Sequence, residues 1–147
     1  MNNKSLLTIA LVWSFFLLPN GKILRDDRKT IKGTWVIVEA ELGGQKLPDE
    51  GVKGTKLILT GGKYRYQNDY GDYKLYSSEK IKAMDIIGVE GPNKGKRFLA
   101  IYELDGDKLK ICYDLAGKTR PTKFKTEAGT KQFLVTYQRE RRIKPHA

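Results

Sequence analysis

The stretch Ile31-Lys32-Gly33-Thr34-Trp35-Val36-Ile37-Val38 is the part of the sequence that decides its fold. β-Branched and aromatic residues follow a glycine, and this composition favours a strand. We expect the strand to continue to Leu42, because Gly43-Gly44 then breaks the chain. The residues before it, 26–31, have the spacing of a short helical turn. The sequence therefore predicts a helical turn followed by a long first strand.

Short strands alternate with turns through the rest of the chain. Polar loops are expected at residues 48–54, 90–96 and 116–120, and Asp105-Gly106-Asp107 is a strong hairpin signal. The further strands are expected at residues 56–60, 63–67, 72–76, 81–89, 97–104, 108–113, 121–126 (a short, edge-like strand) and 132–138. About nine short strands joined by short loops predict a meander that closes on itself.

Several of these strands alternate between an apolar and a polar face. The apolar faces carry Phe98, Ala100, Tyr102 and Leu104, then Leu109, Ile111 and Tyr113, and finally Phe133, Val135 and Tyr137. One dry and one wet face on each strand fits the wall of a barrel, and closure removes the exposed edges of the sheet. The predicted fold class is therefore all-β, an antiparallel up-and-down barrel of about eight strands.

Four motifs occur in order: IKGTW (residues 31–35), GPNKGK (91–96), IYELDGD (101–107) and GKTRPTKF (117–124). Together they resemble a lipocalin-like domain family of planctomycete-type bacteria, whose members usually follow a signal peptide and have no established activity. The resemblance covers residues 31–139 and implies an eight-stranded lipocalin-like barrel. It also implies a barrel-base signature of Gly33, Trp35 and Arg139, in which the indole plugs the closed end beneath the arginine of the last strand.

The N-terminal segment, residues 1–21, has the pattern of a signal peptide. Lys4 supplies its positive charge, and the uncharged apolar run from Leu6 to Leu18 is shorter than the roughly 20 residues that span a bilayer. An uncleaved, short membrane anchor remains the alternative. The predicted organisation is a signal peptide (1–21), a barrel domain (22–140) and a basic flexible tail (141–147), so the protein is expected to be exported to the periplasm or beyond.

The chain is strongly basic, with 28 lysines and arginines against 17 acidic residues and a net charge of +11. Such a surface attracts anionic polymers or lipids. Acidic residues are nevertheless interspersed, and the export signal argues against nucleic acid as a partner. The single cysteine, Cys112, excludes an intramolecular disulfide and is expected to be a small buried hydrophobe.

Catalytic residue sets are scarce in this sequence. The only histidine, His146, lies next to the C-terminus, which excludes histidine-based triads and, with one cysteine, the usual zinc and haem ligand sets. Glu39 and Glu41 share a strand face that would suit calcium, but ordinary solvent-facing carboxylates are the favoured interpretation. We therefore predict no enzyme, no cofactor and no metal site.

The aromatic residues are the better lead to function. Five of the eight tyrosines lie between Tyr64 and Tyr76. Rings inside a barrel form flat apolar walls with a few polar points for a ligand, or they fill the interior. Arg120, just before a predicted strand, either guards the barrel mouth or forms a structural salt bridge. The candidate ligand-binding residues are Tyr64, Tyr66, Tyr73, Tyr102, Tyr113 and Arg120, with Tyr102 and Tyr113 expected on one wall of the pocket.

Two functions from different classes fit these observations. The first is an exported binding module for a small amphipathic or apolar ligand, which can also be anionic. The second is a structural or interaction module of the cell envelope, with a filled barrel, that binds an acidic polymer or a protein through its basic surface. Membrane contact is expected only through an uncleaved signal segment.

Export should remove the signal segment. N-terminal sequencing of the exported form is expected to start near Lys22, because the apolar run ends shortly before that residue. Recovery of chains that begin at Met1 from the membrane fraction would instead support the anchor.

Overall fold

Residues 26–142 are the part of the chain that the computed structural model describes. The expected signal peptide and most of the basic tail, including His146, lie outside this range. The elements in chain order are α1 (Asp27–Thr30), β1 (Gly33–Leu42), β2 (Gln45–Lys46), α2 (Asp49–Val52), β3 (Lys56–Thr60), β4 (Lys63–Tyr66), β5 (Asp69–Tyr76), β6 (Ala83–Glu90), β7 (Arg97–Asp105), β8 (Lys108–Asp114) and β9 (Gln132–Arg139). Among these residues, no helix is long and apolar enough to cross a membrane.

The strands form one antiparallel sheet that closes on itself. β1 pairs with β3, each strand from β3 to β8 pairs with the next in sequence, and β9 pairs with β1 from Trp35↔Arg139 to Leu42↔Phe133. β2 is an extra two-residue strand that pairs only with the end of β1. The predicted fold class, an all-β up-and-down barrel of about eight strands after a helical turn, is confirmed.

The prediction of a strand at residues 121–126 is wrong. Both neighbours of β8 in the sheet are already occupied, by β7 and β9, so the closed barrel offers these residues no free edge. They belong instead to a strap, residues 115–131, that crosses the outside of the wall. Arg120 anchors the strap by donating to the carbonyls of Met84 and Ala100. Farther along the strap, the Thr126 hydroxyl donates to the Glu41 carboxylate of β1.

The strap explains why two outward-facing side chains are buried. Ile101 and Cys112 are partners across β7 and β8, and both are removed from solvent. The Cys112 thiol lies 3.7 Å from the Lys125 carbonyl oxygen of the strap. Burial raises the pKa of this thiol above its ordinary value. Cys112 is therefore buried as expected, and the strap is the part of the chain that covers it.

Arg139 and Trp35 seal one end of the barrel. The Arg139 guanidinium carbon lies 4.2 Å from the centroid of the indole, and the two residues are direct partners across β1 and β9. The guanidinium also donates to the carbonyls of Thr30 (2.7 Å) and Lys32 (2.8 Å). The indole N–H donates to the Ile31 carbonyl over 2.8 Å. The expected contact between Arg139 and Trp35 is present. The hydrogen bond from Arg139 to Thr30 fastens α1 to the barrel.

Gly33 is required at this seal for two reasons. Its φ of +144° lies in a region that other residues rarely adopt. A Cβ atom there would also lie 2.9 Å from the Arg139 Nη1 atom. Glycine therefore lets the guanidinium approach the start of β1.

A partly buried ion pair completes the closed end. The Asp27 carboxylate of α1 accepts hydrogen bonds from the Tyr102 hydroxyl (2.8 Å) and from Lys82 Nζ (2.7 Å). Burial, reinforced by the bond to Asp27, raises the pKa of Tyr102 far above its ordinary value. The apolar side chains around this pair are at most 2% exposed: Ile31, Trp35, Leu59 and Leu109. This half of the interior is filled.

Trp35→Ala should destabilise the protein by about 3–5 kcal/mol, because it empties a fully buried site and removes the ring beneath Arg139. Urea unfolding measures this loss. Tyr70→Ala, which truncates an aromatic ring on the outer wall and removes its contact with Arg65, is the control and should change the free energy of unfolding by about 1 kcal/mol or less. Equal losses in the two variants would contradict the role of the seal.

Candidate functional site

The other end of the barrel contains a cavity of about 380 Å³. The β4–β5, β6–β7 and β8–β9 connections surround its mouth. Its walls are mainly aromatic and aliphatic, with a few polar side chains. The lining residues are Leu57, Leu59, Tyr64, Tyr66, Asp69, Tyr73, Met84, Ile86, Asn93, Lys96, Phe98, Tyr113, Leu115, Lys131, Phe133 and Tyr137. The interior is thus filled at the sealed end and hollow at the open end.

One wall is formed by aromatic residues of β8 and β9. Tyr113 and Phe133 are cross-strand partners, and their rings stack with centroids 5.9 Å apart and planes 28° apart. The hydroxyl oxygens of Tyr113 and Tyr137 lie 3.1 Å apart, so one phenol donates to the other. Burial raises the pKa of both phenols well above the ordinary value. Both therefore remain protonated at neutral pH.

The opposite side of the mouth depends on a close approach between a ring and a glycine. Tyr64 on β4 is the partner of Gly71 on β5, and a Cβ atom at residue 71 would lie 2.6 Å from the Tyr64 ring. The Tyr64 ring lies over Gly71, where no side chain is in its way. Its hydroxyl donates to the Asp69 carboxylate over 2.9 Å. Burial, followed by the bond to Asp69, raises the pKa of Tyr64.

Asp69 fastens the β6–β7 loop to the mouth. Besides Tyr64, its carboxylate accepts hydrogen bonds from the backbone N–H (3.1 Å) and the side-chain amide (2.9 Å) of Asn93. Three neutral donors therefore occupy most of the roughly four acceptor sites of this buried carboxylate. Asp69 thus holds the loop in place at the mouth.

Two lysines lie at the rim of the cavity. Lys96 ends the β6–β7 loop and Lys131 precedes β9, and both are exposed. Within residues 26–142, neither ammonium lies within 4.0 Å of a carboxylate. These two ammonium groups outnumber Asp69, the one carboxylate among the lining residues, so the potential at the rim favours an anion.

Four of the six candidate ligand-binding residues line this cavity, namely Tyr64, Tyr66, Tyr73 and Tyr113. Tyr102 does not, contrary to the expectation of one shared wall with Tyr113. The two residues do face the lumen from neighbouring strands, but Tyr102 is paired with Ile111, one step nearer the sealed end, and its hydroxyl is bound to Asp27. Tyr102 thus faces the lumen, but it lies too near the sealed end to line the cavity.

Arg120 lies on the outer wall and does not reach the cavity. Its guanidinium pairs with the Asp85 carboxylate over 2.6 Å, and Arg97 and the Tyr76 hydroxyl donate to the same carboxylate. Burial alone would raise the pKa of Asp85, but these hydrogen bonds outweigh it and hold the pKa below its ordinary value. Arg120 was expected either to guard the barrel mouth or to form a structural salt bridge. The structure contains the salt bridge, which holds the strap against the outer wall.

Loop residues of the site have no periodicity that marks them in the sequence. Asn93, Lys96, Leu115 and Lys131 all line the mouth, and none was expected there. The only available signal was indirect, since residues 91–96 form one of the four motifs of the family that the chain resembles.

No cluster of three or more potential metal ligands occurs in the described part of the chain. Glu39 pairs with Lys46 over 3.3 Å, and Glu41 accepts the hydrogen bond from Thr126. These two carboxylates thus have protein partners. The cavity itself contains neutral phenols, an amide, one carboxylate that accepts three hydrogen bonds and two rim lysines. Such a set can bind and orient a molecule.

No protein-family model, curated protein or solved structure matches this chain.

Asp85→Asn should lower the free energy of unfolding at pH 7 by about 1.5–3 kcal/mol, the range for hydrogen bonds to a charged group. Since the folded pKa of Asp85 is depressed, its contribution is complete above the unfolded value near 3.9 and is lost as pH falls towards the folded value. The difference between wild type and variant in urea unfolding should therefore shrink between about pH 5 and pH 2. A difference that is independent of pH would show that the ion pair does not hold the strap.

Proposed function

We propose that this protein is an exported, non-enzymatic binding module of the lipocalin-like type, and that the cavity at its open end holds a small apolar or amphipathic molecule. The observation that carries the proposal is the cavity of about 380 Å³ with mainly apolar walls in a barrel sealed at the other end. Ligand sites generally have volumes of roughly 300–1,000 Å³ and a few convergent polar groups. Export rests on the signal-peptide pattern of residues 1–21.

The rigidity of the site supports binding rather than structural packing. The Asp69–Asn93 bonds hold the loop at one side of the mouth, and Tyr113 is fixed by Phe133 and by Tyr137. A preformed pocket loses less conformational entropy when a ligand binds. A ligand would therefore gain contact with these rings at a small ordering cost.

The rim supports an anionic or amphipathic ligand over a purely hydrocarbon one. Lys96 and Lys131 are free of carboxylate partners in the described range and lie where the cavity meets solvent. A ligand whose apolar part lies inside the barrel would place a charged end near these two lysines. Exposed ion pairs contribute at most about 1 kcal/mol each, so the rim selects among ligands rather than supplying most of the affinity.

The chemistry of the cavity supports a non-enzymatic role. Its phenols have raised pKa values and remain protonated, so they provide neither a nucleophile nor a general base at neutral pH. The Asp69 carboxylate is occupied by three hydrogen bonds.

Two neighbouring residues of β6 provide a matched test. Ile86→Trp should fill the cavity and weaken binding of the fluorescent probe N-phenyl-1-naphthylamine at least tenfold, because Ile86 lines the cavity. Ile87→Trp adds the same bulk on the outer wall and should leave binding unchanged, since Ile87 is exposed. Fluorescence titration of wild type should give a dissociation constant between low micromolar and millimolar, or roughly −8 to −4 kcal/mol. Circular dichroism checks that both variants fold.

The outcome also separates the two functions. Equal loss or no loss in both variants would place the probe outside the barrel. A wild type that binds no probe would favour the envelope-interaction module, for which the net charge of +11 is the supporting observation. In that case retention on an immobilised polyanion should weaken steeply as salt rises.

A further inference from the structure

The hydroxyl pair of Tyr113 and Tyr137 lies on the aromatic wall of the cavity, which β8 and β9 form. Tyr137 is paired with Leu109 and Ile37, two fully buried residues near the sealed half. Tyr113 is paired with Phe133 and lies nearer the mouth. Their hydroxyl oxygens meet at 3.1 Å, and both residues line the cavity. The pair therefore places polar atoms deep in an otherwise apolar space.

The two hydroxyls carry two protons, and only one of these can lie between the two oxygens. Whichever phenol donates to the other, the accepting phenol keeps an O–H group of its own. Among residues 26–142, the hydrogen bonds formed by either hydroxyl comprise this one contact. Because both side chains line the cavity, the remaining O–H group is available to a molecule inside it.

We infer that the cavity is selective for flat, apolar molecules that carry an acceptor oxygen at their buried end, such as aromatic ketones, and that this oxygen accepts a hydrogen bond from the Tyr113–Tyr137 pair. The inference rests on the proposed function and specifies its ligand class. A phenol is a better donor than acceptor, because its oxygen lone pair is delocalised into the ring. A ligand without an acceptor would leave a buried O–H group unpaired. The free-energy cost of that unpaired group would weaken the binding of such a ligand.

Two other polar side chains of the cavity already have protein partners. The Tyr64 hydroxyl donates to Asp69, and the two amide groups of Asn93 do so as well. Among the tyrosines of the lining, Tyr137 is the most buried, at 2% exposed. The Tyr113–Tyr137 pair is therefore the deepest phenol donor of the cavity.

The test compares 1-indanone with indane, which differ by a carbonyl in place of a methylene. Both are measured as competitors of N-phenyl-1-naphthylamine, in wild type and in the double variant Tyr113→Phe/Tyr137→Phe. The double variant keeps both rings and removes both partners of the bond, a change that is close to neutral for stability. The ratio of the indane to the 1-indanone dissociation constant should fall about 3- to 10-fold in the double variant, as for one neutral hydrogen bond. Tyr70→Phe, which removes a hydroxyl from the outer wall, should leave the ratio unchanged.

A vibrational measurement gives an independent readout. The carbonyl stretch of bound 1-indanone should lie at lower frequency in wild type than in the double variant, because only the wild type donates a hydrogen bond to it. An unchanged ratio with both compounds bound would overturn the inference and leave the proposed function intact, as would a ratio that falls equally in Tyr70→Phe. If neither compound nor the probe binds wild type, the proposed function fails first, and the inference fails with it.

Discussion

The Arg139 guanidinium is the group on which the closed barrel depends. It comes from the end of the last strand and covers the indole of Trp35 on the first strand, so it acts across the pairing that closes the sheet. The same group donates to the carbonyls of Thr30 and Lys32 and so fastens the helical turn over the opening. Hydrogen bonds from a charged donor are about twice as strong as neutral ones. The cavity has a floor because this end is sealed.

Polar groups are distributed differently at the two ends. Buried carboxylates at the sealed end and beneath the strap each meet a partly exposed cation, where Asp27 meets Lys82 and Asp85 meets Arg120. The cavity is lined mainly by neutral hydroxyls and rings, with lysines at its rim and one buried carboxylate, Asp69, held by neutral donors. Burying an unpaired charge is costly, whereas a phenol loses little when its ring is buried and its hydroxyl finds a partner. The fixed parts of the barrel thus rely on ion pairs, and the cavity is left for a largely apolar occupant.

Alternation along the strands was sufficient to predict which side chains face the lumen. It could not predict how deep they lie, because register against the neighbouring strand and the position of the seal set the depth; Tyr102 and Tyr113 share the lumen and yet have different roles. The path of the strap was equally hidden. Residues 121–126 have a strand-like composition, but a closed sheet has no edge for them, and Arg120 follows the strap to the outer wall. Rim residues such as Lys131 lie in loops, where side chains do not alternate regularly, so no sequence pattern indicates which way they point.

Contacts between a bound molecule and the rings inside the barrel provide the most direct test of this account. Isotope-filtered nuclear Overhauser spectra of the labelled protein with unlabelled N-phenyl-1-naphthylamine report which side chains lie within about 5 Å of the probe. The account predicts contacts to Tyr66, Phe98 and Tyr113 at the open end and none to Tyr102 at the sealed end. Contacts confined to outer-wall side chains such as Val89 would contradict the claim that the barrel interior is the binding site.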